Sequence, residues 1–331
     1  MNPDARILAA LRTAAETGVS GASLAKELGV SRAAVWARIE ELRRSGYDIE
    51  ASPHHGYRLR SCPDRLHPDD LLARLGIRTG IGREIQVFQE TASTNDIVEK
   101  LARDDVREGV VVFAESQTRG RGRLGRRWIS PPGKGLWFSV LLRPQLPPSA
   151  ATQLTVVSAV AVARGIERHT GLRPSIKWPN DIVFGTRKVA GILLELGAEL
   201  DHIRHVVLGI GIDVNLVPEE LPDELQAIAT SLRIEGGRAF DRADLAAAVL
   251  SELDSAYGRL RRGDFHEISD EWMRRCSTLG KRVSIRTGDR VVTGRAESLD
   301  EDGALLVRTD HGRLESIIGG DVSLVRGEGT Q

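Results

Sequence analysis

Apolar residues in the first sixty positions recur at the three-to-four spacing of a helix. Ile7, Leu8 and Leu11 make one face, and Leu24, Ala25 and Leu28 make a second that stops at Gly29. Ser31 stands where it can cap a third helix, whose Val35, Ile39 and Leu42 fall at i, i+4 and i+7. Helix, short helix, tight turn, helix is the order of a helix-turn-helix. Gly29 falls in its turn, and Ser31, Arg32, Ala33, Ala34 and Arg38 open the helix that would read DNA. YDIEA and GYRLR then flank a turn at Ser52 to His55, predicting a two-stranded wing that closes a domain over 1–62. A plain three-helix bundle shares the periodicity; the four-part order favours the winged form.

Residues 63–82, with Pro63, Pro68, Gly76, Gly80 and Gly82, predict a connection carrying one short helix at Asp69 to Leu75. From residue 83 the pattern changes to strands. The spacing predicts a strand at Glu84 to Gln89, a helix from about Asn95 to Arg103 and the buried strand GVVVFAE. GLWFSVLLRP, a long helix from Ala151 to His169, and the strands SIKW, DIVF, VAGILLEL and HVVLGIGIDV follow. Several strands succeed one another without helices, so the sheet of this 83–277 domain should be mixed rather than doubly wound and parallel. Helices at Arg242 to Leu260 and His266 to Cys276 end it. The last segment, 278–327, has short strands punctuated at Gly288-Asp289 and Asp302-Gly303, the pattern of a small β-barrel or sandwich. The fold class is α+β.

Composition narrows the chemistry. Lys plus Arg and Asp plus Glu are 46 each in 331 residues, so any polyanion must be met by a local patch. The first 62 residues hold nine basic against seven acidic side chains, which adds little to the DNA reading. Cys62 and Cys276 have no metal or disulfide spacing, and no export signal or membrane-length apolar run stands out, which points to the cytoplasm. The eight histidines show no metal spacing either; His54 and His55 sit in the wing turn.

The local patch is SQTRGRGRLGRRW, residues 116–128. Gly120, Gly122 and Gly125 spell G-x-G-x-x-G, but a dinucleotide site needs a helix after the glycines, and Pro131 with Pro132 forbids one. No G-x-x-x-x-G-K-[ST] occurs. Between Ser116 and Lys134 there are six cationic side chains and no acidic one, which predicts a self-repelling loop, mobile while empty and ordered by a polyanion. Single-stranded nucleic acid would want more aromatics than Trp128 alone.

Ser93-Thr94-Asn95, GRGRLGRRW, KWPND at Lys177 to Asp181 and RKVAGILLE at Arg187 to Glu195 stand in the order and spacing of the biotin-protein ligases. GIGIDVN at Gly209 to Asn215 and ATSL at Ala229 to Leu232 continue the likeness. With its winged helix and terminal strands, the whole chain resembles the bifunctional bacterial type, in which ligase and biotin-operon repressor share one polypeptide. The resemblance implies a central domain related to class II synthetase-like folds and a terminal SH3-like β-barrel. The implied reaction joins biotin to the α-phosphate of ATP, giving biotinoyl-5'-AMP and pyrophosphate. The acyl group then passes to a lysine of a biotin carboxyl carrier domain of acetyl-CoA or a related carboxylase.

Both steps build negative charge on oxygen, which fixed cations stabilise better than water does. Lys188, Arg121 and Arg123 are the candidate catalytic residues. Biotin has a neutral polar ureido ring and an apolar chain. Ser93, Thr94, Asn95 and Gln117, with Gly120, Arg121, Gly122, Arg123 and Lys188, are therefore the candidate biotin residues. Ser93 to Asn95 also suit the cap of the following helix. Arg126, Lys177, Asn180 and Asp181 are assigned by resemblance to the adenylate, and Trp178 reads as a core anchor. The family commonly has asparagine where Asp213 stands, so adenylate contact by Asp213 carries over weakly. Magnesium is expected with ATP, held by phosphate and water rather than by a protein cluster. The remaining implied partners are operator DNA and a second copy of the chain when the adenylate is bound. Two alternatives stand beside this reading. One is a ligand-sensing repressor without catalysis, against which Lys188 and the intact arginine loop speak; the other is a lipoyl-type ligase.

Overall fold

The computed structural model describes residues 2–77, 80–199 and 202–324. The N-terminal unit holds α1 (Pro3–Ala14), α2 (Gly21–Leu28), α3 (Arg32–Arg44) and the antiparallel strands β1 (Asp48–Ser52) and β2 (Gly56–Ser61). Gly29 ends α2 in the left-handed region (φ 70°), and the Ser31 hydroxyl accepts the Ala34 N–H to start α3. The periodic residues of the three helices, with Tyr47 and Ile49, form a core of their own. The winged helix-turn-helix is as expected.

The connection is more than a spacer. Its helix α4 (Pro68–Leu75) packs between α1 and α9 (Arg242–Arg261). Asp70 of α4, 2% exposed, accepts from Arg12 of α1 at 2.6 Å and from Arg74 Nε at 3.0 Å. Arg74 reaches on to Asp241 and Asp244 at the start of α9. Beside it Arg242, fully buried, donates to Glu115 at 2.7 Å and to Asp64 at 3.0 Å. These buried, mutually satisfied charges tie the winged helix to the central domain.

Seven strands make the central sheet: β3 (Glu84–Thr91), β4 (Val110–Gln117), β5 (Gly135–Leu142), β6 (Ser175–Lys177), β7 (Asp181–Phe184), β8 (Arg187–Ala198) and β9 (Ile203–Asp213). Their order is β3-β4-β5-β9-β8-β7-β6, with β3 and β4 parallel and the other pairs antiparallel, so the sheet is mixed. The helices α6 (Ala151–Thr170) and α9 cover one face. They cross closely, because a Cβ on Gly165 would lie 2.7 Å from Val249 Cα. By length and composition the segment 148–170 could span a membrane, contrary to the expectation, but it is a core helix: Leu154, Val157, Val160 and Ile166 are buried. On the other face α5 (Thr94–Arg103) packs on Val112, Leu141 and Val207. It leaves Gly191, Leu193, Gly209, Gly211 and Asp213 of β8 and β9 uncovered as a floor, and strand alternation puts Trp137 and Ser139 of β5, both fully buried, on the same face.

The short helices α7 (Asp223–Gln226) and α8 (Leu232–Gly236), then α9 and α10 (Phe265–Arg275), lead to a five-stranded antiparallel sheet. Its strands β10 (Arg282–Thr287), β11 (Arg290–Leu299), β12 (Leu305–Thr309), β13 (Leu314–Ile317) and β14 (Asp321–Leu324) lie in the order β13-β12-β11-β10-β14. Among the described residues β13 and β14 are not paired, so the expected barrel is an open sheet over this range; residues 325–327 lie outside it. Val283, Ile285, Leu305 and Val307 join the central core, which seats the turn at 318–320 against the uncovered floor.

Candidate active site and DNA-facing helix

One cavity of about 430 Å³ opens over that floor. At one end its groups are neutral and tightly linked. The Gln117 carbonyl accepts the Thr94 N–H at 2.9 Å, Thr94 Oγ1 lies 2.7 Å from Ser139 Oγ, and Ser139 Oγ donates to Asn95 Oδ1 at 2.5 Å. Asn95 Nδ2 donates to Glu195 at 2.8 Å, and Gln117 Nε2 to Ser130 Oγ at 2.9 Å. Gly209 is required beneath this end: a Cβ there would lie 2.4 Å from Asn95 Oδ1. Ser93 occupies the N-cap position of α5 without a side-chain cap bond and lines the cavity instead. Ser93, Thr94, Asn95 and Gln117 thus present uncharged hydrogen-bonding side chains to the cavity.

The middle of the cavity lies under Trp128, whose ring rests on Gly191 and Gly211; a Cβ on Gly211 would be 2.5 Å from Trp128 Cε2. Lys188 Nζ sits 5.0 Å from the centre of that ring and 2.6 Å from Asp181 Oδ1. Lys188 is anchored by its own backbone, donating to Ile228 O and accepting from Thr230 N, both at 2.8 Å. The far wall is the stretch from Leu216 to Ala229, with Glu220 held by Lys134 at 2.6 Å. Asp213 completes the floor here.

The arginine loop departs from expectation. It is folded on itself: Gly122 N–H donates to Arg126 O at 2.6 Å, Trp128 N–H to Gly120 O at 2.9 Å, and Leu124 takes φ 56° in a 3-10 turn. Two of its arginines are matched from outside. Arg121 donates to Glu195 at 2.8 Å and to Asp96 at 2.6 Å, which raises its already high pKa, and Arg126 pairs with Asp321 of the C-terminal sheet at 2.5 Å. Self-repulsion within the segment is offset by carboxylates remote in sequence, which a residue count over 116–134 does not see. Burial alone would raise Glu195, but donation from Arg121 and Asn95 holds it below the usual carboxylate range.

Arg123 differs from its neighbours. Its hydrogen bond goes to a neutral group, Asn180 Oδ1 at 3.2 Å, and burial pushes its guanidinium below the ordinary value. A half-buried cation with a neutral partner is a place for an anion. Asn180 is itself held by donation to Ile192 O at 2.7 Å.

The structure therefore brings Ser93, Thr94, Asn95, Gln117, Arg121, Gly122, Arg123, Arg126, Lys177, Asn180, Asp181, Lys188 and Asp213 around one cavity. Gly120 lies just behind it, where a Cβ would strike Trp128 O at 2.5 Å. Trp178 is the buried anchor expected, though it also borders the cavity. Ser139, Glu195, Trp128 and the 318–322 turn were not read as site residues. Strand alternation could have found Ser139; nothing in the sequence flags Gly320, Asp321 and Val322 as a cavity wall.

On the N-terminal unit, Arg32 and Ala33 are exposed and Ala34 half-buried at the start of α3, while Arg38 turns aside to Asp4 at 2.8 Å. Trp36, one turn beyond Arg32, is 57% exposed. The periodic apolar positions Val35, Ile39 and Leu42 do not include it, and its exposure is visible only in the fold.

A mixed sheet with a cation-rimmed cavity, joined to a winged helix, defines an enzyme domain carrying a helix-turn-helix. Family models match in chain order: an HTH domain over residues 5–58, the biotin/lipoate A/B protein ligase family over 87–213, and the biotin protein ligase C-terminal domain over 278–325. The chain belongs to the biotin protein ligase family. It is 39% identical to the bifunctional ligase/repressor BirA of Bacillus subtilis over 92% of this chain and 94% of the relative. To that of Escherichia coli it is 30% identical over 92% of both. The biotin protein ligase of Aquifex aeolicus, solved in complex with biotin and ATP, covers 74% of this chain and 100% of its own at 33% identity, with a TM-score of 0.64.

Proposed function

We propose that this chain activates biotin with ATP to biotinoyl-5'-AMP and transfers the acyl group to a lysine of a biotin carboxyl carrier domain. The observation that carries the reading is the neutral hydrogen-bonded end built from Thr94, Asn95, Gln117 and Ser139. A ureido ring, with two N–H donors and a carbonyl acceptor, can exchange hydrogen bonds with these groups, which a lipoyl dithiolane cannot. With the ureido ring there, the valeryl chain passes beside Trp128 and its carboxylate arrives beside Lys188. Lys188 and Arg123 neutralise the carboxylate and α-phosphate as they approach and as charge grows on the phosphorus oxygens. Arg121, held by Glu195 and Asp96, steadies the rim. Arg126, Lys177, Asn180 and Asp181 border the nucleotide half. Among the described residues no group of three or more acidic, histidine or cysteine side chains could hold a metal, so magnesium would be held by phosphate and water.

The winged helix gives the second function, repression of biotin synthesis through operator DNA. It acts as a homodimer that forms when the adenylate is bound and presents two copies of α3 to a palindrome. Such a protein works in the cytoplasm, where carboxylase and chromosome are both present. Biotin-dependent exchange of pyrophosphate into ATP, then label transfer to a carrier lysine, tests the ligase. Exchange supported by lipoate and not by biotin would refute it. Protection of its own biotin-synthesis promoter, with and without biotin plus ATP, tests the repressor; equal protection refutes corepression.

A further inference from the structure

The cavity floor is laid out in rows across β5, β9 and β8. Ser139, Gly209 and Leu193 form the first, against Asn95; Trp137, Gly211 and Gly191 the second, beneath Trp128. Gly135 and Asp213 form the third. In the ligase reading, on which this inference rests, the ureido ring lies beside Asn95 at the level of the first row and the acyl–phosphate centre beside Trp128 and Lys188 at the level of the second. The third row is then left to the nucleotide.

Asp213 is 7% exposed, lines the cavity, and among the described residues has no hydrogen-bond partner for its carboxyl group. Its backbone is taken up by the ladder to Gly135. The charged groups around it are committed elsewhere. Lys188 on β8 is paired with Asp181 of β7, Lys134 before β5 with Glu220 of the far wall, and Arg126 with Asp321; Arg123 lies on Asn180. Burial raises the carboxyl well above the ordinary aspartate value, and the field of Lys188 works against that shift without cancelling it. An ionised carboxylate here would face the nucleotide's phosphate with no donor of its own. A carboxylic acid, by contrast, has the outline of a carboxamide and one donor with one acceptor.

We propose that Asp213 binds the nucleotide half of the ligand as the neutral acid, so that at a pH where the free protein holds it ionised one proton is taken up from solvent as the ligand enters. The acid then does what an asparagine amide would do at this place, and GIGIDVN tolerates aspartate because the ligand never meets the charged form.

The test is titration calorimetry of the full chain with a phosphodiester analogue of biotinoyl-AMP, the acyl carbonyl replaced by methylene. Its single phosphate charge does not titrate near neutrality. Measurements run from about pH 6 to pH 9 in two buffers of different ionisation enthalpy. Wild type should take up close to one proton at the alkaline end, where Kd should rise ~tenfold per pH unit. Asp213→Asn should show neither effect and should bind more tightly than wild type at the alkaline end. Equal proton uptake in wild type and variant, or none in wild type, overturns the proposal. Failure of wild type to bind the analogue at all refutes the ligase reading itself. Should the variant not fold, the wild-type proton count decides alone.

Discussion

Gly209→Ala tests the neutral end of the cavity directly. The added Cβ would lie 2.4 Å from Asn95 Oδ1, 3.0 Å from Nδ2 and 3.1 Å from Cγ, so the amide must retreat by about 1 Å to reach normal contact. Asn95 is held there by Ser139 at 2.5 Å and Glu195 at 2.8 Å, and such a shift breaks both bonds. Two side-chain hydrogen bonds are worth about 1 kcal/mol each, and overpacking adds about 1–3 kcal/mol to the destabilisation. The ligand loses Asn95 as a partner, leaving a buried polar group unpaired at about 1–3 kcal/mol, which weakens biotin binding roughly 5- to 150-fold. Calorimetry with biotin, alongside thermal melting, measures both. Gly211→Ala is the matched control: its Cβ strikes Trp128 Cε2 at 2.5 Å instead, so it should slow adenylation more than it weakens biotin. Biotin affinity within twofold of wild type in Gly209→Ala, with the fold retained, would refute the assignment of this end.

Lys188→Ala removes the cation 2.6 Å from Asp181 and should slow pyrophosphate exchange on the order of a hundredfold without changing the circular dichroism spectrum. Because the folded-state pKa of Asp213 is raised, its contribution to stability is present at low pH and is lost as pH rises above the unfolded value through the folded one; Asp213→Asn should therefore lose less melting temperature than wild type between about pH 5 and pH 8. Glu195 has the opposite sign: its pKa is depressed, so its contribution is present above the unfolded value and fades on acidification. Glu195→Gln should flatten that acid limb, and by releasing Arg121 it should speed trypsin cleavage within 119–127 several-fold. Trp36→Ala should weaken binding about tenfold to a duplex selected from random sequence by the holo-protein, leaving pyrophosphate exchange as in wild type, since the side chain is exposed on α3 far from the cavity in the chain.

Local pattern was enough where neighbours in sequence are neighbours in space. The helix-turn-helix, its Ser31 cap, the wing and the period-two strands were all legible, because a cap or a strand face is defined within a few residues. The motifs Ser93-Thr94-Asn95, KWPND and RKVAGILLE were legible as chemistry too. What those residues do to one another was not. The loop reads as mobile and self-repelling from its own composition, yet Glu195, Asp96 and Asp321 hold it from as far as 195 residues away. Arg38 reads as a DNA contact until α1 brings Asp4 beside it, and α4 reads as a spacer until Asp70 is buried between Arg12 and Arg74. Sequence by itself determined which segments become helix or strand and which side chains could carry the chemistry. Only the tertiary structure decided which charges are already neutralised, because Coulomb and hydrogen-bond energies depend on distance through space. It thereby singled out half-buried Arg123 and buried Asp213 as cavity groups whose charges are not paired.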